Sequence, residues 1–171
     1  MRGSLVLIVL SILTTSCGRS PPLAREQILA NLKQQADRMC VAVEASDHET
    51  LVDFTHPKIV EAVGGRAKMI ESVDGIKTSG IAIRGVEILA YPSDWIEAAG
   101  DYYAVLSKST RMTMPTGAKM KVTGTLLAIS SDRGRNWTFV EGRQRRVLLT
   151  VFPKLPNDLT ISANSNPMPD E

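Results

Sequence analysis

The chain is 171 residues long, 43% hydrophobic and 22% charged, with a formal charge of +2 at pH 7. That length supports one domain with a core of its own. The near balance of charge excludes the strongly basic field that a nucleic-acid partner asks for, and no such partner is expected.

The first element is an address. Residues 4–13 are an apolar run of about ten residues behind Arg2, too short to span a bilayer, which needs about 20. A charged start, a short apolar core and a small-residue end are the layout of a secretory signal. Here the end is Leu13-Thr-Thr-Ser-Cys17, followed by the polar Gly18-Arg-Ser-Pro-Pro22. It resembles the bacterial lipobox, with Thr14 standing where Leu is most usual. The resemblance implies cleavage after residue 16, lipidation of Cys17 and a tether over 17–22. Two or more acyl chains anchor a protein stably where one does not. Gly18 in place of Asp implies the outer membrane, facing the periplasm, if the host has two membranes. With Cys17 acylated, Cys40 has no partner for an intramolecular disulfide.

Leu23–Ala45 reads as a long helix. Ile28, Leu29, Leu32, Ala36, Met39, Cys40 and Val43 share one face at helical spacing, which makes Cys40 a small buried hydrophobe. Short helices are expected over Glu49–Phe54, Lys58–Val63 and Arg66–Val73. Thr55 or His56 caps the second, Pro57 sits in its first turn, and Gly64-Gly65 stops it.

The second half changes period. Ile81–Tyr91 reads as a strand with a bulge near Gly85. Asp101–Met114 and Lys119–Ser130 read as a hairpin about Pro115-Thr-Gly-Ala118. In the latter strand Met120, Val122, Gly124, Leu126 and Ala128 take one face, and Leu127 and Ile129 the other. Trp137–Val140 and Val147–Phe152 complete the strands, and 162–171 is a flexible tail. Helices first and antiparallel strands after make an α+β domain over 23–161. Its sheet should twist strongly and curl about the first helix.

"THPKIVEAVGG", "SSDRGRNWTFVEG" and "LPNDLTI", together with this order of elements, are similar to poorly characterised secreted bacterial members of the nuclear transport factor 2-like superfamily. The superfamily also holds ketosteroid isomerases and polyketide cyclases. The resemblance covers about Leu23 to Ile161. It implies a cone closed on one side by the long helix, with a pocket at its open end. No motif carries the catalytic roles over residue by residue.

Asp53 and His56 are the candidates for a general base, with Tyr91, Tyr102 or Tyr103 as the opposing donor. The plainer reading of Thr-His-Pro is a helix joint capped by His56, and it is preferred. Tyr91, Tyr103, Met112, Trp137 and Phe139 are candidates to line a pocket for a small apolar ligand. The two histidines lie eight apart without ligands at metal spacing, so neither a metal nor a cofactor is expected. The arginines at 133, 135, 143, 145 and 146 read as a solvated hairpin edge, or else as a patch for anionic lipid or wall polymer.

Three functions remain open from the residues alone. The first is a lipid-anchored module binding a small ligand or a partner. The others are an isomerase- or cyclase-type enzyme, and a structural envelope protein that dimerises through its sheet.

Overall fold

The computed structural model describes residues 21–142, 145–162 and 164–170. Cys17, its signal and Arg143 lie outside the described residues. The fold is α+β, with helices first and a six-stranded antiparallel sheet that does not close.

Helix α1 (Arg25–Ala45) buries Ile28, Leu32, Ala36, Met39 and Cys40, the apolar stripe of the sequence. Burying each large side chain contributes about 1.5–3 kcal/mol. Ser46 turns the chain in the left-handed region at φ 55, and Asp47 caps α2 (His48–Phe54) by accepting from Thr50 N–H. Next come α3 (Pro57–Ala62) and α4 (Arg66–Thr78). Gly64 and Gly65, with φ of 98 and 95, form the break between them. Helix α4 does not stop at Val73 as expected but runs through Asp74-Gly75. A glycine inside a helix costs only about 1 kcal/mol, and the chain leaves the helix just before Gly80, at φ 81.

In the sheet, β1 (Ala82–Ala90), β3 (Asp101–Thr113), β4 (Lys119–Ser130) and β5 (Thr138–Glu141) stand in that order. The register of β1 on β3 shifts between Ile83 and Gly85, where the bulge was expected. The short β2 (Ile96–Ala98) pairs with the start of β3 beside β1. β3 and β4 pair along their whole length, from Tyr102 with Ser130 to Thr113 with Lys119.

Both faces of this hairpin are covered. Ala104, Leu106, Leu126, Ala128, Trp137 and Phe139 pack against α1. Tyr103, Leu127, Ile129 and Val140 pack on the opposite face, against Leu148, Phe152, Leu155 and Leu159. The cover there is α5 (Arg145–Val151), where a strand over Val147–Phe152 was expected. An apolar, β-branched run fits either form. The buried pair Leu148 and Phe152, four apart, shows the helical period. Residues 164–170, expected to be a flexible tail, lie along β4. Ser165 N–H donates to Thr123 O at 2.7 Å, and β6 (Met168–Pro169) pairs with Met120 and Lys121.

Candidate functional site

His56 and Asp53 belong to the joint between α2 and α3. His56 Nδ1 accepts the Lys58 N–H at 3.2 Å, which caps α3. Its ring meets Phe152 edge-on, centroids 4.8 Å apart. Burial, helped by the Lys58 charge, holds the imidazole below its usual pKa, against an opposing pull from Asp101. Asp53 is exposed and receives Arg66 Nη1 at 2.6 Å, and the same guanidinium holds Glu49. The carboxylate three residues before His56 is therefore engaged by a cation on α4, and the histidine by its own helix.

Of the pocket candidates, the fold brings Trp137 and Phe139 together. They lie in the packed layer between α1 and the sheet, with Trp137 only 1% exposed and Leu106 and Ala128 beside them at 0%. Trp137 Nε1 is buried without a partner among the described residues. Tyr103 lies on the opposite face of the sheet, its hydroxyl 3.4 Å from Asp101 Oδ2. Burial, with Asp101 adding to it, raises its pKa.

Tyr91 stands elsewhere, in a groove of about 360 Å³ between α1 and β1 that Lys33, Asp37, Cys40 and Glu44 also line. Its hydroxyl donates to Asp37 Oδ1, Lys33 Nζ holds Asp37 Oδ2 at 2.9 Å, and the ammonium lies 4.3 Å from the Tyr91 ring centre. Desolvation, then the bond to Asp37, pushes the phenol up to about 12. Asp37 itself is lowered: desolvation raises it, but the hydrogen bonds from Tyr91 and Lys33 outweigh that. Cys40 forms part of the groove floor, and burial pushes its thiol up to about 11, which keeps it protonated and unreactive at neutral pH. Glu44 Oε1 accepts the Val86 N–H at 2.7 Å, satisfying a donor on the outer side of β1.

Two features escaped the sequence reading. Lys108 points inward from β3, buried, with Nζ 2.7 Å from Glu141 Oε1 and 3.3 Å from Thr110 Oγ1. The signal was present, since Lys108 continues the inward phase of Ala104 and Leu106. The other is a cleft of about 550 Å³ at the hairpin end, where Met112 lies among Arg84, Arg111, Thr113, Lys119 and Asp170. Two of the late arginines singled out by sequence, Arg135 and Arg145, serve the backbone instead. Arg135 Nη2 donates to Pro21 O, and Arg145 donates to the carbonyls of Leu155, Pro156 and Leu159.

Among the described residues, no cluster of three His, Cys, Asp or Glu side chains could hold a metal ion, and no helix is long and apolar enough to cross a membrane. Comparison with protein families, curated proteins and solved structures gives no match.

Proposed function

We propose that this protein is a lipid-anchored module of the bacterial cell envelope, held by Cys17, which binds its ligand or partner at surface grooves. In this reading the domain is a nuclear transport factor 2-like cone. A long first helix, short helices and an antiparallel meander wrapped on that helix support the assignment. One observation carries the functional reading. Trp137, Leu106, Leu126 and Phe139 fill the layer between α1 and the sheet, and the cavities described open on the outer surface.

Anchoring is tested by labelling cells with an alkyne fatty acid. The wild-type chain should carry label and sediment with membranes, and Cys17→Ser should lose both. A Cys17→Ser chain that is still processed and membrane-bound sinks the anchor. Binding at the α1–β1 groove is tested by a photo-crosslinking residue at Val41, which lines it at 64% exposure. A discrete adduct of one mass supports the module. Absence of any adduct in intact cells counts against it.

A further inference from the structure

The end of the β3–β4 hairpin collects cations without neutralising them. Arg111 on β3 stands directly opposite Lys121 on β4, and the next pair on that face is Thr113 with Lys119. Like charges directly opposite across a ladder weaken the pairing. Arg84 joins from β1, its Nε donating to Thr113 Oγ1 at 3.2 Å. Among the described residues, none of Arg84, Arg111, Lys119 and Lys121 forms an ion pair. Lys33, Arg66 and Lys68, all exposed, do find carboxylates on the same molecule. Arg84, Arg111, Lys119 and Lys121 thus bring four cations without an ion pair among the described residues to one end of the sheet.

It surrounds a cavity. Arg84, Arg111 and Lys119 line the cleft of about 550 Å³ with Met112, Thr113 and Asp170. Pockets for small organic ligands run from about 300 to 1,000 Å³. Guanidinium forks suit the paired oxygens of phosphate, and an ammonium adds a point charge. Among the described residues, the one carboxylate on the cleft belongs to Asp170, whose N–H donates to Lys119 O at 3.1 Å.

We propose that this cleft binds a phosphomonoester, with Arg84, Arg111 and Lys119 gripping the dianion and Met112 contacting the organic part. Asp170, brought to the rim by β6, is a built-in competitor that lowers the affinity. The proposal does not depend on the lipid anchor, because the cleft lies wholly within the described domain. Free and lipid-borne phosphomonoesters share this chemistry.

The test titrates the full chain in a non-ionic detergent with three probes: glycerol 3-phosphate, inorganic phosphate, and dioctanoyl phosphatidic acid in the micelle. At least one organic phosphate should bind saturably and raise the melting temperature. Arg111→Gln should weaken that binding about tenfold or more. Asp170→Asn should strengthen it about threefold, an effect that loss of structure would not produce. Binding of glycerol 3-phosphate assigns a soluble ligand, and binding of phosphatidic acid alone a lipid headgroup. The proposal is overturned if no organic phosphate binds, or if Arg111→Gln and Arg84→Gln, both folded by thermal melting, bind as well as wild type.

Discussion

Gln35 on α1 accepts the backbone N–H of Trp137 at 2.8 Å. The same amide donates from Nε2 to Arg135 O at 3.0 Å, and Asn31, one turn earlier, donates to Gly134 O at 2.9 Å. One side of the first helix thus fixes the turn that delivers Trp137 into the core.

Gln35→Leu should leave the Trp137 N–H and the Arg135 carbonyl without partners where water reaches them poorly. Each lost partner costs about 1–3 kcal/mol. Gln35→Glu keeps the acceptor and loses the donor, so its loss should be smaller. Urea unfolding followed by tryptophan fluorescence reads both. Equal losses would mean the acceptor contributes nothing.

These ties show where reading from sequence stops. The stripe Ile28, Leu32, Ala36, Met39 and Cys40 was legible because helical spacing is a local property. The opposite facing of Leu126 and Leu127 was legible because a strand alternates. His56 as a cap could be read from its place before Pro57. The Gln35 tie could not, since a glutamine on a polar helix face carries no mark of its distant partner. The opposition of Arg111 and Lys121 appears only once the hairpin register is fixed. Arginine density drew attention to 133–146, but density says nothing of which guanidinium a carbonyl will take. Arg145 is consumed by three carbonyls of the C-terminal segment.

The cap makes stability depend on pH. The folded-state pKa of His56 lies below its ordinary value of 6.5, chiefly through burial. Its contribution is therefore fully present above pH 6.5 and is lost as pH falls through the lower, folded value. His56→Asn preserves a cap acceptor and removes the titration. Wild type should lose more stability between pH 7.5 and 5 than His56→Asn does, measured by urea midpoints at each pH. Parallel losses would mean that other groups govern the acid response. His56→Ala removes the acceptor and should cost about 1 kcal/mol at pH 7.5.

Tyr91 reports on its groove at the other end of the pH scale. An ordinary phenol ionises near 10.0, and this one is pushed up to about 12. The folded state holds the proton longer than the unfolded chain, so stability falls as pH rises from about 10 to about 12. Absorbance titration at 295 nm should show a step near 12 that is absent in Tyr91→Phe, while the raised Tyr103 still titrates late in that variant. In Asp37→Asn the Tyr91 step should move down yet remain above 10.0, because desolvation is the larger cause and survives the substitution. A return to 10.0 would mean that Asp37, and not burial, holds the proton on the phenol.

Gly124 is the position where β4 admits the C-terminal segment. It stands opposite Lys108 in the ladder, and a Cβ there would meet Asn164 Cγ at 2.8 Å and Asn164 Cα at 3.1 Å. The second contact is with backbone, so a side-chain rotation cannot relieve it. Gly124→Ala should therefore push residues 164–170 off the strand, breaking the bonds from Ser165 N–H to Thr123 O and from Asp170 N–H to Lys119 O. The long pairing of β3 with β4 stays, so global unfolding should shift by about 1 kcal/mol or less. Protease cleavage within 160–170 and amide exchange at Ser165 and Asp170 should quicken, with exchange at Leu106 and Leu127 unchanged. Loss of protection at Leu127 as well would mean that the segment supports the whole sheet. If only the segment opens, Asp170 leaves the cationic cleft, and phosphomonoester affinity should rise as it does in Asp170→Asn.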